Sequence, residues 1–278
     1  MSDLLNKINV IETAEYNGAK FELIEISNLE GASSPKIGME LYFGQQAGLR
    51  MRQVRVTLSG GSIKTESGAL YYYKGNIQSQ TKMGGVGGFL KKSLVGGITD
   101  ESAAKPLYQG NGEIYLEPSF KHYLILNLNN TSIIVDKGLF YCCSGEIDIS
   151  VQAQGNVSSA LLGGEGIFQI KLSGTGVAIL ELTVPSSEIV AYQLQPGEEM
   201  KVDGNFAIAR TDSVQFSVTK SDKSILGSMM NGEGFLNTFV GPGIVWLAPT
   251  APFYNKMLFG LPVTNNSFNN STNPLLSR

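Results

Sequence analysis

The sequence predicts a mainly β fold made of three tandem units of roughly sixty-five residues each. Three observations predict it. Two different glycine-bearing motifs recur in strict alternation along the chain. Apolar and polar residues alternate, or form short β-branched runs, in most of the segments between them. Helical periodicity is scarce, confined to the first few residues and to Gly87–Gly97.

The first motif aligns Val135–Val151 with Val202–Val218 without gaps, and an earlier copy, Thr65–Ile77, fits the start of both. Gly68 then falls on Gly138, Gly75 on Gly145 and Ile77 on Ile147. The second motif begins at Gly110, Gly174 and Gly241, and its second glycine is Gly112, Gly176 or Gly243. Two motifs sharing nearly one period mark repeated units rather than coincidence. The expected division is an N-terminal extension over 1–51, β units over 52–118, 119–182 and 183–250, and a C-terminal tail over 251–278.

Within the units, Gln53–Leu58, Ile114–Leu116, Tyr123–Leu128, Phe168–Leu172, Val177–Val184 and Val214–Val218 suit half-buried strands. The paired glycines are expected in hairpin turns, because glycine takes positive φ without a Cβ clash. Glu66, Asp136 and Asp203, each just before a motif glycine or turn, fit turn residues. No such unit closes a core alone, so three are expected to pack in a pseudo-threefold arrangement.

Glycine is abundant, at 33 of 278 residues, while only 16% are charged and the net charge is −3. A pI near 5.4 argues against nucleic acid as a partner. One histidine and the adjacent Cys142 and Cys143 supply neither a Cys/His zinc site nor a disulfide framework. No run approaches the ~20 apolar residues of a membrane span, and the start reads as neither signal nor transit peptide. The expectation is a cytoplasmic protein, peripheral to a membrane if it meets one, with no cofactor and no enzymatic activity.

Individual residues fit that expectation. His122 stands at a strand entrance without an inferable acid or nucleophile beside it, and reads as an edge or surface histidine. Cys142 and Cys143 point to opposite faces of one strand, and a buried structural thiol is expected for at least one. Tyr71, Tyr72 and Tyr73 resemble a base-stacking platform, but core and cross-strand packing suits them better. The glycine-rich run Met83–Ile98 lacks a P-loop ending. Phe89, Leu90, Lys91, Lys92 and Leu94 within it form a short amphipathic piece between glycine hinges, fit to dock on a protein partner or an anionic bilayer surface, or to cap its own sheet. Edge strands also leave homo-oligomer formation open. Asn265–Arg278 has the composition of a disordered end.

The ordered set Gly68–Ile77, Thr81–Leu94 and Gly232–Leu247 resembles the altered-inheritance-of-mitochondria-24, or mitochondrial biogenesis, family over about residues 50–250. The resemblance implies three tandem units like the tryptophan RNA-binding attenuation protein subunit, a short relative of the double-stranded β-helix. A yeast member of that family is tied to mitochondrial inner-membrane organisation, and bacterial members have no settled activity. The chain departs from the commoner pattern after Gly97, at Ile98–Pro106, and resembles a bacterial member. The resemblance leaves a second function class open: a small-ligand or enzymatic site in a groove between units.

Overall fold

The computed structural model describes residues 8–27, 29–80, 105–136, 138–153, 168–203, 206–220 and 235–258. The amphipathic segment Met83–Ile98, the first seven residues and the tail Asn265–Arg278 lie outside the described residues. The fold is mainly β, as expected from the alternating pattern. Among the described residues no helix is long and apolar enough to cross a membrane.

The chain divides into two compact units. The first takes 1–152 and 168–187, and its strands are β1 (Ile8–Tyr16), β2 (Ala19–Ile26), β3 (Met51–Thr65), β4 (Leu70–Gln80), β5 (Leu107–Leu116), β6 (His122–Val135), β7 (Phe140–Ser144), β8 (Asp148–Ala153) and β9 (Phe168–Leu182). Pairing runs β1-β2-β3-β7-β9-β6, while β5 pairs with both β3 and β4, and β8 with β9. The β2–β3, β3–β5, β4–β5 and β6–β9 pairs are antiparallel, so side chains of neighbouring strands meet in rows across each face. Phe21, Val56, Ile63, Ile114 and Ile179 form part of the core, each fully buried. Phe21 belongs to the predicted N-terminal extension, whose β2 runs hydrogen-bonded along β3 from Ala19↔Leu58 to Ile26↔Met51.

The second unit, which includes 188–278, carries β10 (Val190–Leu194), β11 (Glu199–Asp203), β12 (Ala207–Thr211), β13 (Gln215–Lys220), β14 (Phe235–Val240) and β15 (Gly243–Leu247). β15 lies between β12 and β10, and β14 lies between β11 and β13. Its core gathers Leu194, Val202, Val214, Phe239, Val245 and Leu247.

Two helices are not signalled by periodicity. Helix α1 (Pro35–Gln46) starts at Ser34, whose side chain accepts from the Ile37 backbone N–H at 3.3 Å, with Pro35 in the first turn where its missing N–H costs nothing. Gly38 and Gly44 inside it dilute the helical pattern. Helix α2 (Ala251–Leu258) occupies the start of the predicted tail.

The glycines divide into two kinds. Gly68 and Gly138 sit in turns at φ of 80° and 85°, as expected. Gly110 and Gly112 instead lie inside β5, and Gly174 and Gly176 inside β9, so the hairpin expectation is corrected for these four. A Cβ on Gly110 would come within 2.2 Å of the Asn76 carbonyl oxygen, and one on Gly176 within 2.8 Å of the Ser144 Cβ. Close crossing of a neighbouring strand, rather than chain reversal, requires glycine there, and the ladder registers shift beside both pairs. Gly241 and Gly243 flank Pro242 at the junction of β14 and β15.

The three tyrosines correct half of an expectation: Tyr72 packs across the strands on Tyr115, but none of the three is core. Tyr71, Tyr72 and Tyr73 are 55%, 48% and 44% exposed, not core. β4 pairs with β5 on one side, and Ile77 is its one buried residue. Both cysteines are fully buried free thiols in β7.

Candidate functional site

In the first unit, β2, β3, β5 and β4 lie side by side, and their registers align Glu22, Arg55, Tyr115 and Tyr72 in one row. The next row on the same face is Lys20, Thr57, Glu113 and Lys74. Side chains two residues apart share a face, so the two rows form one polar patch. Arg55 Nε donates to Glu22 Oε2 at 2.8 Å, and Lys20 Nζ lies 3.1 Å from Glu22 Oε1. Tyr115 OH donates to Glu113 Oε2 at 2.8 Å, with Lys74 Nζ 3.1 Å from the same oxygen. Tyr72 stacks on Tyr115, ring centroids 4.4 Å apart.

Burial raises the carboxyl pKa of Glu22, but hydrogen bonds from Arg55 and Lys20 outweigh it and hold the group below the ordinary range. Glu113 is likewise lowered, burial being overcome by Tyr115 and Lys74. The Tyr115 phenol moves up, through burial and then the Glu113 carboxylate. Carboxylates fixed as anions and a phenol fixed as neutral are poorly matched to proton transfer near pH 7. They are well matched to tying four strands together.

A second cluster joins β6 and β9. Ser119 Oγ lies 2.9 Å from Tyr123 OH and donates to Glu181 Oε1 at 3.4 Å, while Lys121 Nζ donates to Glu181 Oε2 at 2.6 Å. Tyr141 OH donates to the Glu117 carbonyl at 2.8 Å, its ring 5.2 Å from that of Tyr123. Burial, first, pushes the Tyr123 phenol up to about 12, with Glu181 adding to it. A serine whose carboxylate partner is already bound to lysine, and whose other neighbour is a neutral phenol, is poorly arranged for activation as a nucleophile. His122, the first residue of β6, is half-buried opposite Leu182.

In the second unit an open depression of about 550 Å³ is lined by Tyr192, Met200, Val202, Phe206 and Leu247, with Lys201 beside them. It follows β11, the outer strand of β11-β14-β13.

Of the residues singled out from sequence, Phe89, Leu90, Lys91, Lys92 and Leu94 lie outside the described residues. Glu66, read as a turn residue, accepts the Ala69 N–H on its carbonyl at 3.2 Å, and its carboxylate accepts from the Ser67 N–H at 3.0 Å and pairs with Lys105. Sequence reasoning missed the Glu22–Arg55–Tyr115 row. The alternation in Gln53–Leu58 signals a face for Arg55, but which strands flank β3 is not written locally.

The model of the family described as mitochondrial biogenesis AIM24 matches residues 45–250. An uncharacterised protein of Streptococcus pyogenes serotype M6 is 26% identical over 197 residues, covering 68% of this chain and 77% of its own. A crystal structure of a Streptococcus pyogenes protein superimposes with a TM-score of 0.54 at 21% identity, over 77% of this chain and 95% of that one, which shows a shared fold. With the family model spanning most of its length, the chain belongs to the mitochondrial biogenesis AIM24 family.

Proposed function

We propose that the protein is a non-catalytic scaffold or interaction protein of the cytoplasm, joining a membrane surface or a protein assembly through the segment 83–98. One observation carries the non-catalytic part. Glu22, Glu113 and Glu181 are each held by a cation and a second donor. Polar groups engaged in this way stabilise a sheet and leave little for chemistry.

The reading includes three equivalent units of the kind the family resemblance implies, and the registers support it. Tyr73 pairs with Ile114, Cys143 with Ala178 and Arg210 with Val245. Tyr73, Cys143 and Arg210 hold the same place after Thr65, Val135 and Val202, where the first motif begins. Ile114, Ala178 and Val245 hold the same place after Gly110, Gly174 and Gly241, where the second begins. Each copy carries a glycine-rich stretch between its two motifs, and 83–98 differs from 153–168 and 220–235 in its adjacent pair Lys91 and Lys92, which suits an anionic surface.

Co-sedimentation with vesicles of anionic or neutral lipid, alongside affinity capture of protein partners, tests the proposal. Binding to anionic vesicles, or capture of a defined partner, is expected, weakened about tenfold by Phe89→Ala with Lys91→Glu. Binding to neither, or capture indifferent to both substitutions, overturns the role of 83–98. A metabolite that stabilises the protein and is turned over overturns the non-catalytic reading.

A further inference from the structure

Helix α1 turns its apolar side outward. Residues three and four apart share one face of a helix, and Met39, Tyr42 and Phe43 are 58%, 59% and 66% exposed. The Tyr42 and Phe43 rings meet edge to face, centroids 5.4 Å apart. No residue of the helix is buried. Leu49 and Phe120, both exposed, extend the apolar surface past the helix end. A Cβ on Gly44 would stand 3.0 Å from Leu49 Cδ2, and Leu49 and Phe120 line one small hollow with Leu41.

Polar contacts on the other side fix this orientation. Gln45 Nε2 donates to the Leu29 carbonyl at 3.3 Å, and Arg50 Nη1 donates to the Gln45 and Leu49 carbonyls at 3.2 and 2.9 Å. An ordinary surface helix buries its apolar stripe and shows its polar one. Here the amide of Gln45 turns toward the chain that follows β2, and the rings face water. The second unit holds a helix of the same kind. In α2, Phe253, Tyr254 and Met257 are exposed, with the first two rings 6.2 Å apart, while Asn255 and Lys256 are half-buried.

We propose that α1 docks in the interface of a bilayer without net charge, laying Met39, Tyr42 and Phe43 among the acyl chains just below the headgroups. Charge selects this occupant. Lys36 and Glu40 are the only charges on α1, and they pair with each other at 3.9 Å. The helix therefore presents neither a basic row for anionic headgroups nor an acidic row for a basic protein.

Side-chain chemistry points the same way. A protein partner is held by a rim of directional polar contacts, and Pro35, Gly38 and Gly44 bring no side-chain donor or acceptor to the flanks of α1. A bilayer interface needs no matching bonds. It takes up ring bodies and methionine, and leaves a phenol tip such as that of Tyr42 at the headgroups. A helix without a cationic row binds by apolar insertion alone, so loosely packed, strongly curved bilayers suit it best.

Flotation of the full chain with phosphatidylcholine vesicles, small sonicated against large extruded, tests the proposal. Binding is expected, stronger on the small vesicles and unchanged when salt is raised, because no charge contributes. Phe43→Ser and Met39→Ser, both at exposed positions, each weaken it about tenfold while the urea midpoint holds. In Phe43→Trp, read against the wild-type chain whose one tryptophan is Trp246, emission shifts to the blue on vesicles and is quenched by brominated acyl chains. No binding to phosphatidylcholine overturns the proposal. So do binding no stronger on small vesicles, binding untouched by both serine substitutions, or binding abolished by salt. An indole in Phe43→Trp that stays in water on bound vesicles, or is shielded only by added protein, overturns it as well. The contact does not involve Lys91 and Lys92. It is read on uncharged lipid and at Met39 and Phe43, whereas the role of 83–98 is read on anionic lipid and at Phe89 and Lys91, so either can fail alone.

Discussion

Arg55 and Glu22 face each other across β2 and β3, with Nε 2.8 Å from Oε2, and neither side chain is more than 21% exposed. The pair begins a row that crosses four strands. Arg55→Leu is expected to destabilise the protein by about 1–3 kcal/mol, because it leaves a nearly buried carboxylate with only the half-exposed Lys20 as its cation. Adding Glu22→Leu should recover most of that loss, which a double-mutant cycle by urea unfolding measures. Because Glu22 has a lowered pKa in the folded protein, its contribution is present above the unfolded carboxyl pKa and lost as pH falls through the folded one. The acid limb of a stability–pH curve should therefore flatten in Glu22→Gln.

Gly110 and Gly68 both have positive φ, at 137° and 80°, yet they should respond differently to alanine. An added Cβ at Gly68 meets nothing within 4 Å, so only the backbone preference is lost, about 1–2 kcal/mol. At Gly110 the same atom would meet the Asn76 carbonyl at 2.2 Å, and β4 must move off β5. A loss above about 3 kcal/mol is expected there, with the urea midpoints of the two variants as the comparison.

Cys142 and Cys143 should be inert to thiol reagents in the folded state. Burial, first, raises both, with Cys143 pushed up to about 12, where Glu146 adds to burial and Lys64 partly offsets it. Labelling at pH 8 should proceed only as fast as the sheet opens, and both thiols should react at once in denaturant. Rapid labelling of native protein would show β7 to be more accessible than its packing implies.

The buried phenols predict alkaline lability. Tyr123 is raised to about 12 and Tyr141 further, burial being the main cause for each. Folded phenols keep protons that unfolded ones release above about pH 10, so stability falls from there as pH rises, at about 1.4 kcal/mol per unit for each group. Tyr123→Phe should make that alkaline decline shallower, as unfolding at pH 9, 10 and 11 would reveal.

Much of the fold is legible along the chain because strands announce themselves by period. Gln53–Leu58 falls within β3, Tyr123–Leu128 within β6, and Phe168–Leu172 with most of Val177–Val184 within the single strand β9. Helix α1 escaped because its two glycines weaken the pattern, and the cap that starts it, Ser34 with Pro35, is short. The candidate site is less legible. Arg55 and Glu22 are 33 residues apart, and nothing local to either says that β2 will lie beside β3.

By itself, the sequence determined the mainly β class, the alternating motifs and the family, since all three depend on local pattern and spacing. The tertiary structure alone decided that Gly110 marks a strand crossing, that Tyr71 to Tyr73 face outward, and that β7 completes β3. Those outcomes depend on which strand lies on which edge, a choice made by long-range packing of buried side chains such as Phe21 and Ile63. Local conformational preference is the same for a glycine in a turn and in a crossing; only the neighbouring chain tells them apart.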